Sequence, residues 1–101
     1  MIWSSNKMKY SKMKKLAPFA EQLVSQYGYK FNVSIRKIAD GLGSVSFVTA
    51  AKYLALLEQY GYLTKTIPNK RRGAIYELNK RRVNMLIRDT KAIQEIMSVG
   101  L

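Results

Sequence analysis

Ser46-Phe47-Val48-Thr49-Ala50-Ala51-Lys52-Tyr53-Leu54-Ala55-Leu56-Leu57-Glu58-Gln59-Tyr60-Gly61-Tyr62-Leu63 is the stretch whose reading decides the fold. It reads as one amphipathic helix with both ends marked. Ser46 supplies a hydroxyl for the first free amides. Ala50, Leu54 and Leu57 recur at helical spacing and define a core-facing side. Gly61 is suited to the left-handed conformation that ends a helix, after which Leu63 turns back onto the core.

Working outward, the residues before this stretch form a shorter helix. Ser34 caps it, and Ile35, Ile38, Ala39 and Leu42 share one face while Arg36, Lys37 and Asp40 point away. Gly41 and Gly43 loosen its end, and 43–45 make the turn into the central helix. Tyr29 to Val33, with Phe31 and Val33 on one side, reads as a short strand. After the central helix, Tyr62 to Ile67 has strand composition. Pro68-Asn69-Lys70-Arg71-Arg72-Gly73 is a turn cluster with three adjacent positive charges, and Ala74 to Leu78 is the return strand. The pair forms a hairpin with a basic tip.

Two further helices flank this unit. Leu16, Phe19, Ala20, Leu23, Val24 and Tyr27 follow the i, i+3, i+4, i+7 pattern of a core helix ending at Gly28. Pro18 fits the first turn of that helix, where its missing N–H costs nothing. Lys12 to Ala17 then belongs to a separate turn or a kinked preceding helix. Residues 1–15 hold five lysines among Met, Tyr, Trp and Ser. They read either as a solvated end or as a basic arm or helix lying on phosphates. Asn79 caps a last helix from Lys80 to about Ser98. Its stripe of Val83, Leu86, Ile87, Thr90, Ile93 and Met97 contains a heptad seam with Thr90 in one core slot. Following a core that is already complete, this stripe calls for a partner and is the expected homodimer contact. The expected division is thus a basic segment at 1–15, a domain at 16–79 and a dimerisation helix at 80–101.

Composition narrows the function. The 101 residues suffice for one domain with a modest core. There is no Cys and no His, which removes disulfides, thiolate metal sites, the commonest general base and the commonest metal ligand. The six acidic residues are scattered and form no acid–base pair, so neither an enzyme nor a cofactor or metal site is expected. Eighteen Lys and Arg against six Asp and Glu leave a formal charge of +12. That excess points to a polyanion, nucleic acid before an anionic membrane surface. No run approaches a bilayer span and no signal peptide is apparent, so a cytoplasmic location is expected.

The segment from Ile35 to Leu78 resembles the winged helix-turn-helix superfamily, an α+β, mostly α fold with a three-helix core and a β-hairpin wing, here with an additional C-terminal helix. Tyr53 to Leu63 is similar to the L-x-x-L-E-x-x-G-hydrophobic segment that joins recognition helix to wing. Ile38-Ala39-Asp40-Gly41-Leu42-Gly43 is similar to the I-A-x-x-L-G of the preceding helix and turn. With the terminal helices included, the layout resembles small PadR-like dimeric regulators, some of which are plasmid partition proteins of archaea. The turn at 43–46 is one residue longer than the family pattern.

The resemblance implies a helix placed in a DNA major groove and a wing on the minor groove or phosphates. Ser46 and Thr49 are then candidates for hydrogen bonds to bases or phosphates, Val48 for contact with a thymine methyl, and Lys52 and Tyr53 for the phosphate strand. Arg36 and Lys37 are candidate backbone contacts or plain surface. Lys70, Arg71 and Arg72 at the hairpin tip are candidate minor-groove or phosphate contacts. Lys80, Arg81 and Arg82 either extend the positive surface or only balance the first turn of the last helix, a location unfavourable for the helix dipole. The first half of the central helix carries no Arg, Asn or Gln, which limits bidentate base reading. Three roles fit: a dimeric duplex-DNA-binding transcriptional regulator, a DNA-organising or plasmid-partition protein that spreads along DNA, and a protein-interaction module.

Overall fold

Side-chain caps start the two central helices, and a glycine turn stops the longer one. The computed structural model describes residues 9–43, 45–69, 71 and 73–99. Among them the chain forms α1 (Tyr10–Tyr27), β1 (Lys30–Phe31), α2 (Ile35–Leu42), α3 (Phe47–Gln59), β2 (Leu63–Asn69), β3 (Gly73–Leu78) and α4 (Lys80–Val99). The fold is α+β and mostly helical, with an antiparallel sheet in the order β1–β3–β2. Ser34 Oγ accepts the Lys37 amide at 3.2 Å, and Ser46 Oγ accepts the Thr49 amide at 3.1 Å. Each serine satisfies one of the amides that a helix start leaves without a partner.

At the end of α3, Gly61 has φ +82°. The Tyr62 amide donates to the Leu57 carbonyl at 2.8 Å and the Gly61 amide to the Glu58 carbonyl at 3.1 Å. This pair of bonds is the Schellman arrangement that satisfies the last carbonyls of a helix. Leu63 follows and is buried. The Arg82 guanidinium of α4 donates to the Gly61 carbonyl at 3.3 Å and lies 5.2 Å from the centre of the Tyr62 ring. A second close approach occurs at Gly41, where the Tyr27 hydroxyl and the Gln26 side chain fill the space a Cβ would need. Gln26 Nε2 donates to the Gly41 carbonyl at 2.8 Å, tying α2 to α1.

The sequence expectation for Pro18 is corrected. α1 is one helix that runs through Pro18 instead of starting beside it. The ring removes the hydrogen bond to the Lys14 carbonyl. Both residues are exposed, so water can serve that carbonyl, and the apolar face of Leu16, Ala17, Phe19, Ala20 and Leu23 stays continuous and buried. A boundary at 15/16 therefore falls inside α1.

The hairpin also differs from expectation. β2 continues through Pro68 to Asn69 and β3 begins at Gly73, which shortens the turn. Leu63 faces Leu78 and Thr66 faces Ile75, but Asn69 faces Gly73, so one extra residue sits on β2 between Thr66 and Asn69. Pro68 lies in that irregular segment, and proline is tolerated there because β2 is an edge strand. β1 is shorter than the expected 29–33 strand and pairs with β3 through Lys30–Glu77 and Phe31–Tyr76.

The last helix requires the largest revision. The expectation that its stripe lacks a partner is overturned for Val83, Leu86 and Thr90, which are all buried in the core of their own chain. α4 packs along α1, so the core is not complete without it. Thr90 is accommodated because its hydroxyl donates to the Leu86 carbonyl at 2.7 Å. Ile87 and Ile93 are half-buried, while Met97 is exposed, as is Ile96, which the stripe did not include. Lys91 and Glu21 add an exposed ion pair between α4 and α1 at 3.7 Å, a minor contribution at such exposure.

Gly61→Ala should destabilise the fold by about 1–2 kcal/mol, because an L side chain is strained at this φ and its Cβ would meet Arg82 Nη1. The midpoint of urea unfolding measures the loss. An unchanged midpoint would show that the turn is not held as described.

Candidate functional site

α3 has two sides with different work. Ala50, Leu54 and Leu57 are buried, while Val48, Lys52, Ala55 and Gln59 form the exposed side. Val48 is 73% exposed and Phe47 46%. At the helix start, Ser46 Oγ accepts the Thr49 amide and donates to Thr49 Oγ1 at 2.9 Å. The two expected hydrogen-bonding side chains are thus bonded to each other, which leaves the Thr49 hydroxyl proton and one lone pair on each oxygen for a ligand.

Cations from other elements flank this helix. The Arg36 guanidinium of α2 lies 5.3 Å from the centre of the Phe47 ring. Lys37 is exposed, and its carbonyl accepts from the Tyr27 hydroxyl at 3.4 Å. On one flank, Lys12 and Lys15 of α1 line a depression with Lys52, Tyr53 and Leu56 of α3. Lys12 Nζ donates to the Tyr60 hydroxyl at 3.3 Å. On the other flank, Lys65 of β2 lines a depression with Ile35, Ala55 and Glu58. Glu58 is the one carboxylate among the residues lining these two depressions. Arg71 is exposed at the hairpin tip, where its amide donates to Asn69 Oδ1 at 2.9 Å. It lines a cavity with Asn32, Val33 and Ser34, which brings the tip beside the start of α2. Lys70 and Arg72 lie outside the described residues, as do the lysine, methionine and tryptophan of 1–8.

Tyr53, a candidate phosphate contact, lines the depression it shares with Lys12, Lys15 and Lys52 while packing against the core. It is half-buried, and its ring packs edge-on against Phe19 at 5.3 Å. The other tyrosines are engaged too. Tyr76 stacks on Phe31 and Tyr27 tilts against it. Tyr10, Tyr29, Tyr60 and Tyr62 lie under Lys14, Lys80, Lys12 and Arg82 respectively. Burial raises the phenol pKa of Tyr62, the Arg82 charge opposing it, and burial also raises that of Tyr76, the Glu58 charge adding to it. Lys80 and Arg82 thus have intramolecular contacts, Arg82 through both Tyr62 and Gly61. Asn79 Oδ1 accepts the Arg82 amide at 3.0 Å and caps α4.

Phe47 and Lys65 were not among the sequence candidates, and Lys12 and Lys15 were read only as part of a basic segment at 1–15 lying in solvent or on phosphates. The i, i+3 spacing of Lys12 and Lys15 would have revealed that pair once the helix was taken back to Tyr10. Phe47 was obscured because an aromatic beside a capping serine reads as part of the helix body. Among the described residues, no group of three or more His, Cys, Asp or Glu is placed to hold a metal ion, and no helix is long and apolar enough to cross a membrane. Set against known protein families, curated proteins and solved structures, the chain matches none of them.

Tyr53→Ala should cost about 2 kcal/mol of stability, part of the cost of emptying an aromatic core site, whereas Tyr53→Phe should preserve the fold. Thermal unfolding of the two variants distinguishes packing from ligand contact. Equal stability of Tyr53→Ala and wild type would return Tyr53 to the surface role.

Proposed function

We propose that the chain is a winged helix-turn-helix protein that binds double-stranded DNA as a homodimer and regulates transcription. In this reading α2 and α3 are the helix-turn-helix, α3 enters the major groove, and the β2–β3 hairpin is the wing. The observation that carries it is the exposed side of α3 flanked by cations from three other elements, Lys12 and Lys15, Arg36, and Lys65. An exposed helix fits a major groove, and flanking cations meet the phosphates on either side of it. Arg71, beside the start of α2, supplies the wing contact, with Lys70 and Arg72 as its sequence neighbours. The formal charge of +12 supports the same polyanionic partner.

The dimer contact moves outward along α4. Val83, Leu86 and Thr90 belong to the monomer core, so the shared surface is built from Ile93, Ile96 and Met97, with Ile87 at its edge. Burying each large side chain contributes about 1.5–3 kcal/mol. Ile96→Asp with Met97→Asp should give a folded monomer by sedimentation at tens of micromolar, with an unchanged far-UV spectrum. A wild-type protein that is already monomeric at that concentration would remove the dimer from the proposal.

A DNA-organising role is the second reading, favoured by the high charge together with the few hydrogen-bonding groups on α3. Footprints separate the two: a regulator protects a bounded site, whereas a spreading protein lengthens its footprint as concentration rises.

Duplex binding should weaken with salt at a log–log slope near −5, the value for about six neutralised phosphates. Replacing Lys52 or Arg71 with Ala should each lower the slope by about one. A flat salt response, or an Arg71→Ala protein that binds as wild type does, would reject this docking.

A further inference from the structure

The first two turns of α3 present an unusual chemical inventory to the outside. Val48 and Phe47 are the exposed large groups, 73% and 46% respectively. Ala51 and Ala55 are too small to reach far, and Lys52 is a flexible point charge with no acceptor. Ser46 and Thr49 are bonded to each other. The nearby guanidinium, Arg36, lies 5.3 Å from the centre of the Phe47 ring. The first two turns of α3 thus carry no amide or guanidinium to pair with adenine or guanine, and Lys52 is left as the side chain that could donate to guanine N7 and O6. What this surface offers besides is an apolar tip ringed by cations.

In the major groove each base pair shows donors and acceptors, and thymine alone among the four bases adds a methyl group. An apolar tip has nothing to exchange for the water on a donor or acceptor, but it gains by covering a methyl. Resting on the DNA-binding reading above, we infer that Phe47 and Val48 select sites through the C5-methyl groups of thymine, and that Arg36 positions Phe47 for this contact. The cations Arg36, Lys37 and Lys52 around the tip match a polyanion and make an apolar protein surface the poorer occupant. Phe47 and Val48 are thus specificity-determining residues, and Arg36 is a positioning residue.

The test uses the full chain and the tightest-bound duplex recovered from a random pool. That duplex is compared with one of the same sequence in which every thymine is replaced by deoxyuridine, a change that removes the methyl and keeps every hydrogen-bonding group. Wild type should lose affinity by about four-fold for each contacted methyl. In Phe47→Ala with Val48→Ala the ratio of thymine to deoxyuridine affinity should fall to near one, with the salt slope unchanged and the protein still folded at the assay temperature by far-UV circular dichroism. Arg36→Lys should keep the charge and the salt slope but lower the ratio, since lysine stacks poorly on an aromatic face. Equal affinity of wild type for both duplexes overturns the inference, and so does a ratio that survives in the double variant. Salt-sensitive duplex binding that ignores the methyl overturns this inference alone. Failure to bind any duplex overturns the DNA-binding reading as well, and capture of an apolar peptide by the same tip would then reassign the surface to a protein partner.

Discussion

The chain reverses direction at Gly61, and the positions of three elements follow from that reversal. A left-handed residue lets the last carbonyls of α3 bond to the amides of Gly61 and Tyr62, and it sends Leu63 inward at the head of β2. Arg82 then reaches from α4 to the Gly61 carbonyl and covers Tyr62. The end of α3, the root of the hairpin and the first turn of α4 therefore meet at one point. The Asn79 amide reinforces this by donating to the Tyr62 carbonyl at 2.9 Å, beside the last β2–β3 pair. A cation at a helix C-terminus is electrostatically favourable, which gives Arg82 a structural purpose in a chain whose other cations mostly face solvent.

The same geometry gives α3 a buried side and an exposed side. Its buried side carries the contacts that hold the fold, and its opposite side carries groups whose removal leaves the core intact. Tyr53 belongs to the first set through Phe19, while Lys52, one residue before it, belongs to the second. The aromatic residues follow a similar division. Each of the seven tyrosines meets a ring or a cation within its own chain, and Phe47 meets the Arg36 guanidinium while staying half exposed beside Val48. Among the described residues, exposed Phe47 and Val48 thus stand together at the start of α3 with Arg36, Lys37 and Lys52 exposed nearby in the sequence.

What was legible in the sequence was local. The capping serines Ser34 and Ser46, the stop at Gly61 and the spacing of Ala50, Leu54 and Leu57 each depend on a few neighbouring residues, and each of these elements forms where its pattern lies. Pro18 was misplaced because its local preference for a first turn yields to a longer apolar face that continues on both sides of it. The stripe of α4 was legible as apolar, but periodicity carries no information about which surface will cover it. α1 packs along this helix, where Val83, Leu86 and Thr90 of the stripe are buried and Met97 stays exposed. The candidate site was legible in the same uneven way. Val48, Lys52, Arg36 and Arg71 stand exposed, whereas Tyr53 turned inward and Lys12, Lys15 and Lys65 came into place through contacts between elements distant in sequence.

The irregular segment of β2 bears on how the protein behaves when crowded with copies of itself. An edge strand displays unpaired amides and carbonyls that invite a strand from another chain, the first step toward edge-to-edge aggregation. Here the exposed edge is broken at Pro68, which has no amide to donate, and the extra residue beside it throws off the ladder spacing a second chain would need. Lys65 adds a charge along the same edge, and the opposite edge, β1, is two residues long. Both edges of the sheet thus discourage a further strand, so copies of the chain held close together are hindered from zipping hairpin to hairpin.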